Sequence, residues 1–514
     1  MPRSLPNIVR DHARRAPESV AISLGAQSCA YGEMWREILS FSEWLGDAGF
    51  KAGDRTAIVL ANRPEAVIAC YGTWMAGGIA VPLNAQSKAR ELEPWLRHCE
   101  PAVLVHESGN AEMKPLLDTV AARTRRMIVG EPRDGAACDN FNVVVAGRRV
   151  PAEPAFMPEA DDTPAMILFT SGTTGRPKGV TLSHLNIASN AASVIQYLGL
   201  TAVDSIVSVL PFYYAYGSSV LNTHLAAGGR VVLEANMVFP HAVVETISRE
   251  RVTGFSGVPS TFALLLARVD LGRHDLSSLR YVTQAGGPMT VATTQRLLSA
   301  FPHARLFVMY GQTEATARLT VLPPELLGSK IGSAGRAIPG VEIEIRSEGR
   351  DPIGTDRIGE VWARGDNVML GYWRDEARTS ETLSEGWLRT GDMGRIDADG
   401  FLFLEGRRTD MIKVGAHRIY PKDIEEAIAE FPGVAEVAVV GMEDELLGQV
   451  VKAFIVPDIP GGVDRMSMLA HCRARLAPYK VPKQVESVEA LPRTASGKID
   501  RGALANAAAS REES

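Results

Sequence analysis

A run of glycines, hydroxyls and cations, Thr170-Ser171-Gly172-Thr173-Thr174-Gly175-Arg176-Pro177-Lys178-Gly179, constrains this chain more than any other stretch. The glycines let backbone N–H groups crowd round an anion, and Thr170, Ser171, Thr173, Thr174 and Lys178 offer donors to phosphate oxygens. The preceding Ala165-Met166-Ile167-Leu168-Phe169 reads as a buried strand. Leu185, Ala188, Ala192 and Ile195 then recur at helical spacing, with Gly199 as a helix stop. Strand, glycine-rich turn and helix predict a phosphate-gripping loop at a helix N-terminus. The Walker A spacing G-x-x-x-x-G-K-[ST] is absent.

A chain of 514 residues exceeds what one core fills and predicts two or more domains. A net charge of −6 gives no reason to expect nucleic acid or an anionic membrane surface as partner. Cys29, Cys70, Cys99, Cys138 and Cys472 form no C-x-x-C pair, which points to a reduced, cytoplasmic protein without a metal-thiolate site. Arg10, Asp11, Arg14 and Arg15 stand where a signal peptide needs an apolar core, so no export is expected. The apolar run Ala66 to Leu83 is broken by Gly72, Gly77, Gly78 and Pro82, and reads as a helix and a buried strand rather than a membrane span.

Strand-like segments (Thr56–Leu60, Gly229–Leu233, Arg280–Gln284, Arg305–Tyr310) alternate with helical ones up to residue 320, which predicts an α/β fold with largely parallel sheets. Over 340–405 short alternating strands (Val341–Ile345, Gly359–Ala363, Phe401–Leu404) predict a small β subdomain. After Arg407 a helix, Lys422–Glu430, and strands Val434–Val440 and Val450–Val456 suit a compact α+β unit. Ala503 to Ser514 is expected to fray. No G-x-G, H-x-x-x-H or G-x-S-x-G occurs, which excludes the dinucleotide fingerprint, the zincins and the serine-hydrolase elbow.

Further motifs follow in order: Tyr310-Gly311-Gln312-Thr313-Glu314, Gly359-Glu360-Val361 leading to Gly371-Tyr372, Thr390-Gly391-Asp392, Gly406-Arg407 through Lys413, and Pro492-Arg493-Thr494-Ala495-Ser496-Gly497-Lys498. Together they resemble the adenylate-forming (AMP-forming) ligase superfamily, of the acyl-CoA synthetase kind. The resemblance spans nearly the whole chain. It implies a large N-terminal domain, 1–408, holding ATP and the acid, and a small mobile C-terminal domain, 409–514, carrying the catalytic lysine. ATP, Mg²⁺ and CoA are the implied co-substrates and cofactor.

Activation of a carboxylate brings two anions together, so the site must gather positive charge and donors. The resemblance implies that Thr170 through Gly175 and Lys178 hold the β- and γ-phosphates, with Thr173 and Lys178 assisting catalysis. Glu314, with Thr170, would ligate Mg²⁺. Tyr310, Gly311, Gln312 and Thr313 would line the nucleotide, Tyr310 giving the adenine a flat apolar face, with Ala285-Gly286-Gly287 along its edge. Asp392 would accept both ribose hydroxyls, with Arg407 and Leu404 nearby. Lys498 would bridge the attacking carboxylate and the α-phosphate. Thr409 occupies the family's hinge, where Asp or Lys is common. Lys413, Gly415, Ala416 and His417 would face the thiol after the swing, Ala416 replacing a usual glycine.

Pro211-Phe212-Tyr213-Tyr214-Ala215-Tyr216-Gly217 matches a segment that often reads P-x-x-H-x-x-G in acyl- and aryl-CoA ligases, with Tyr214 in place of the histidine. It lacks the aspartate by which amino-acid-activating members pair an ammonium. Tyr213, Tyr214, Tyr216, Gly217 and Val258 are therefore expected to line an uncharged, largely apolar pocket for a fatty or similar acid. A stand-alone ligase loading an acyl carrier protein is the alternative. A luciferase-like oxidase and a non-catalytic binding module are more distant. A homodimer is left open.

Overall fold

The computed structural model describes residues 4–119, 124–131, 138–147, 158–170, 177–234, 239–287, 289, 291–414, 417–444, 447–459, 462–494 and 498–509. Two large sheets organise the first four hundred of them. An eight-stranded sheet runs from Gly371–Tyr372 through Lys178–Ser183, Pro164–Thr170, Ile79–Pro82 and Arg55–Val59 to Val103–Glu107, Arg125–Val129 and Asp139–Asn140. A nine-stranded sheet carries Thr320–Leu322, Arg305–Tyr310, Tyr281–Gln284, Gly254–Gly257, Ser205–Ser208 and Arg230–Leu233 in its middle. Pairing along its centre is parallel, for instance Tyr281 beside Arg305 and Gly254 beside Tyr281.

Parallel strands covered on both faces read as continuous apolar runs, and successive side chains explain the layers. Ile206 and Val231 face the shared inner core, whereas Val207 and Val232 face outer helices Pro240–Glu250 and Pro259–Arg268. The inner core lies between the two sheets. There His184–Leu198, Ala215–Ala227, Tyr31–Asp47 and Pro64–Met75 bury Trp44, Trp74, Tyr71 and Phe41 with Met166 and Leu182. Trp74 adds a direct tie by donating from Nε1 to the Ala165 carbonyl at 2.7 Å.

An antiparallel sheet of Val341–Arg346, Gly359–Gly365, Trp387–Ile396, Leu383–Ser384 and Leu402–Arg407 forms the small β subdomain. The last sheet contains Ile412–Val414, His417–Ile419, Val434–Asp444, Gly448–Pro457 and Gln484–Ser487 and packs on helices Pro421–Ala429 and Arg465–Arg475 through Ile424, Ile428, Met468 and Cys472. The molecule is α/β with a large N-terminal part and a small C-terminal α+β part. We propose the boundary at 408/409, because Leu402–Arg407 still pairs with Trp387–Ile396 and Ile412–Val414 already belongs to the last sheet.

Two local expectations are corrected. The phosphate-loop candidate does not run into a helix: Lys178–Ser183 is a strand antiparallel to Pro164–Thr170, with Lys178 opposite Thr170. Helix His184–Leu198 starts only afterwards, capped by Ser183 accepting from the Asn186 N–H at 3.1 Å. Alternation in Lys178-Gly179-Val180-Thr181-Leu182-Ser183 is the strand signal that the helical spacing of the following residues masked. Among the described residues, a strand rather than a helix N-terminus follows the loop. Likewise the C-terminal stretch is ordered further than expected. Arg501–Ala509 is a helix whose Leu504 and Ala508, one turn apart, bury against Ala438, Val440 and Phe454.

Candidate active site

Thr390-Gly391-Asp392 sits within the strand Trp387–Ile396, where Gly391 takes a φ of 72° that a side chain would resist. The Thr390 hydroxyl is pinned to the Val361 carbonyl at 2.7 Å and accepts from the Asp392 N–H at 3.1 Å, so the turn is held at both ends. Asp392 is 7% exposed and faces two partners from other elements. Tyr310, at the end of Arg305–Tyr310, donates its hydroxyl to Oδ2 at 2.6 Å. Arg407, at the end of Leu402–Arg407, brings Nε to within 2.8 Å of Oδ1 and donates from Nη1 to the Thr390 carbonyl at 3.1 Å.

Lys498 comes to the same place from the C-terminal part. Its turn is closed by the Thr494 N–H donating to the Lys498 carbonyl at 2.8 Å and by a bridge between Arg493 and Ile499. The residue as a whole is exposed, while its ammonium is close enough to Arg407, Asp392 and Glu314 to feel their charges. Burial and the Arg407 guanidinium hold its pKa below that of ordinary lysine, against the pull of Asp392 and Glu314. Burial raises the Asp392 pKa, with Arg407, Tyr310 and Lys498 acting against the rise. Burial also drives the Tyr310 phenol upward, helped by the Asp392 charge, so Tyr310 stays a donor. The structure thus brings together Tyr310, Asp392, Arg407, Glu314 and Lys498 from segments far apart in sequence.

Glu314 begins the neighbouring wall, in the short turn Thr313–Ala315 after Tyr310. Its Oε1 accepts the Tyr372 hydroxyl at 2.9 Å, and Lys178 Nζ lies 6.0 Å from the Tyr372 ring centre. Tyr372 is a site residue that sequence reasoning missed, although its Gly-Tyr pair had been singled out. The described residues contain no cluster of three or more His, Cys, Asp or Glu side chains suited to a metal. One carboxylate with a free oxygen, completed by phosphate and water, is nevertheless a ligand set that Mg²⁺ takes, so Glu314 fits the ion. Ser171, Gly172, Thr173, Thr174 and Gly175 lie outside the described residues. Thr170, the second expected Mg²⁺ ligand, closes the strand beside them.

The glycine turn after Tyr281–Gln284 is held by Gln284 donating from Nε2 to the Gly287 carbonyl at 2.8 Å, with Ala285 buried and Gly286 at φ 88°. A Cβ on Gly286 would lie 3.0 Å from Val258 and 4.0 Å from Tyr216, which puts this turn against the expected acid pocket. Tyr216 donates to the Thr283 carbonyl at 3.0 Å. Tyr213 and Tyr214 instead stack edge-on with each other at 4.6 Å. Burial pushes the Tyr213 phenol up to about 12. Gly217 packs so closely on the Pro211 carbonyl, 2.2 Å from a built Cβ, that it serves the backbone turn. The Arg318 guanidinium, a charge that the expectation of an uncharged pocket did not include, lies 4.1 Å from the centre of the Tyr216 ring.

Other expected residues make their described contacts with groups outside the Tyr310–Asp392–Arg407 cluster. Lys413 is exposed on Ile412–Val414, its N–H donating to Gln449 Oε1 at 2.9 Å. His417 stacks on Tyr479 at 3.8 Å with the rings 2° from parallel. Gly415 and Ala416 lie outside the described residues. Leu404 contributes its carbonyl to Lys422 Nζ at 2.6 Å, a tie between the β subdomain and helix Pro421–Ala429. Thr409 is exposed within the turn Arg408–Asp410.

A cleft that gathers a lysine, an arginine and hydroxyl donors around one buried carboxylate suits the meeting of a carboxylate with a nucleotide, and the two-sheet frame with its small C-terminal part is that of an acid-activating enzyme. Residues 9–373 match the AMP-binding enzyme family and residues 423–498 match the AMP-binding enzyme C-terminal domain, so the chain belongs to this family. A feruloyl-CoA synthase of an Amycolatopsis species is 35% identical, covering 95% of this chain and 96% of that protein. An indoleacetate–CoA ligase of Aromatoleum aromaticum is 34% identical, covering 95% of each. Among solved structures, O-succinylbenzoate coenzyme A synthetase from Bacillus subtilis, in complex with ATP and magnesium ion, superposes with a TM-score of 0.84 at 29% identity over 98% of this chain and 99% of that one. The protein is an AMP-forming acid–thiol ligase that uses ATP, Mg²⁺ and CoA. No helix among the described residues is long and apolar enough to cross a membrane.

Proposed function

We propose that the cleft of Tyr310, Asp392, Arg407, Glu314 and Lys498 activates an acyl or aryl carboxylic acid, which is then transferred to CoA. A substrate carboxylate oxygen attacks the α-phosphorus of ATP, forming the acyl–O–P bond and breaking the P–O bond to pyrophosphate. The CoA sulfur then attacks the acyl carbon, and AMP leaves. Lys498 holds the incoming carboxylate and the α-phosphate while charge builds up between them. Asp392 accepts from the ribose hydroxyls, Tyr310 and the turn Ala285-Gly286-Gly287 flank the adenine, and the loop from Thr170 to Lys178 grips the outgoing phosphates. Mg²⁺ on Glu314 supplies charge neutralisation at those phosphates when bound.

The observation that carries this reading is the cluster in which Tyr310 and Arg407 hold Asp392 at 2.6 and 2.8 Å, with the charge of Lys498, from the C-terminal part, acting on it. The exposed position of Lys413 supports a second arrangement of the C-terminal part for the thiol step, with Thr409 as pivot. The acid's body is proposed to lie along Tyr216 and Val258, and a cytoplasmic setting agrees with five cysteines that carry no disulfide. Pyrophosphate release should be measured over aliphatic, aryl and hydroxy acids, with CoA added and withheld. Acid-dependent release without CoA, and thioester only with it, is expected. Release that needs no acid would make the protein a nucleotidase instead.

A further inference from the structure

Arg318 is 2% exposed, among the largest fully buried side chains, and nothing in the activation chemistry uses it. Its guanidinium carries five N–H donors. Only Nη1 has a bonded carbonyl, that of Ala317 at 3.3 Å, and Nε is buried without an acceptor. Besides the Tyr216 ring at 4.1 Å, it has the Tyr197 hydroxyl beside it, and no carboxylate among the described residues pairs with it. A cation taken out of water without a counter-charge is costly, and proteins rarely keep one unless something else arrives to pair it.

Its surroundings are built for that arrival. Thr316 and Ala317, both with side chains, adopt φ values of 51° and 80°, a strained pair that turns the chain directly into Arg318. The turn lies hard against the nucleotide motif: a Cβ on Gly311 would stand 2.1 Å from the Ala317 oxygen and 2.8 Å from the Arg318 Cα. On the other side Tyr216 leads to Val258 and Gly286, the wall of the acid pocket. Thr316 also lines a small cavity with Asn190, Ser218, Ser219 and Asn222, where Asn190 Nδ2 is a second buried donor without an acceptor.

We propose that Arg318 anchors a second anionic group of the acid substrate, so that the protein activates one end of a dicarboxylic acid while the other end is held at Arg318. The proposal rests on the acid-ligase reading above. A carboxylate matches the planar guanidinium with two parallel hydrogen bonds and supplies the missing charge. Tyr216, stacked on the guanidinium, keeps the fork oriented when the pocket is empty.

Short aliphatic and benzene dicarboxylic acids, each beside its half methyl ester, test this through acid-dependent pyrophosphate release. Wild type should prefer the best diacid over its half ester by about a hundredfold in kcat/KM, the scale set by pairing a buried charge. Arg318→Met should bring that ratio close to one, mainly through KM, while turning over the half ester. Arg318→Lys should retain part of the preference. The thermal midpoint of Arg318→Met without substrate should equal or exceed that of wild type, because an unpaired buried charge is removed. A variant too unstable to purify would leave the wild-type ratios to decide. Equal use of diacids and half esters by wild type, activity on monocarboxylic acids alone, or an equal loss on both members of a pair in Arg318→Met would overturn the anchor and leave the ligase reading standing. Release that needs no acid would overturn both.

Discussion

Lys498 and Glu314 come to the Asp392–Arg407 pair from different parts of the chain, and each can be removed without touching the other's support. Lys498→Ala should cripple adenylation but spare thioester formation from supplied acyl-AMP. Loss of one such contact at a developing charge costs about 2.7–4 kcal/mol, roughly 10²–10³ in rate. Equal damage to both half-reactions would remove Lys498 from the reacting oxygens. The lysine must be charged to act, and its pKa lies below the ordinary value. Adenylation should therefore fall on the alkaline side at a lower pH than the roughly 10.4 of a free lysine. A lowered lysine pKa means that the folded chain binds fewer protons than the unfolded one, so this group's share of stability grows as pH rises. The alkaline loss is then catalytic, and a thermal midpoint falling in step with it would contradict that. Glu314→Gln should weaken Mg²⁺-dependent turnover while leaving unfolding unchanged, and full activity at saturating Mg²⁺ would take the metal away from Glu314. The residues of this cleft were readable in the sequence because each sits in a short motif of fixed order. Arg318 and Tyr372 were not given roles, since a lone arginine in a sequence does not disclose that it is buried and unpaired.

At the scale of elements, short apolar runs marked Arg55–Val59, Ile79–Pro82, Pro164–Thr170, Arg230–Leu233, Tyr281–Gln284 and Arg305–Tyr310 of the two large sheets, because strands covered on both faces leave little room for polar residues. Two failures were local: the helix ending at Gly199 was placed correctly but the strand Lys178–Ser183 before it was passed over, and the last helix was not followed far enough. Val180 and Leu182 are buried strand residues that a six-residue segment discloses only by alternation. Leu504 and Ala508 form a stripe too brief to stand out in an alanine-rich end, where Ala alone satisfies helix propensity. That last helix is held by tertiary burial, and Leu504, 4% exposed against Ala438, Val440 and Phe454, is its chief apolar anchor. Leu504→Ala should destabilise the C-terminal part by about 2–5 kcal/mol, as for other buried Leu-to-Ala changes. Denaturant unfolding followed by a probe in that part would measure it. A change within a few tenths of a kcal/mol would return the segment to the frayed tail expected from composition.

With the proposed boundary near Thr409 the molecule divides into a large part and a small one, and its proposed chemistry needs each face of the smaller part in turn. In the present arrangement Lys498 is at the cleft and Lys413 is exposed, which suits adenylation. Thr409→Pro should separate the steps. The turn Arg408–Asp410 is already helical, and the Thr409 hydroxyl bonds only its neighbour, Asp410 Oδ1 at 3.2 Å. Proline fits that backbone, with a modest penalty on Arg408, so the first arrangement should persist. A second arrangement reached by changing φ at 409 is denied to a residue whose φ is fixed near −65°. Acyl-AMP should form at close to the wild-type rate and accumulate on the enzyme, while thioester release falls sharply. Single-turnover measurements with CoA added after adenylate formation resolve the two rates. Wild-type thioester turnover in this variant would move the pivot off Thr409, and Asp410, the next residue of the turn and 4.0 Å from Arg501 of the same C-terminal part, would be the next position to lock.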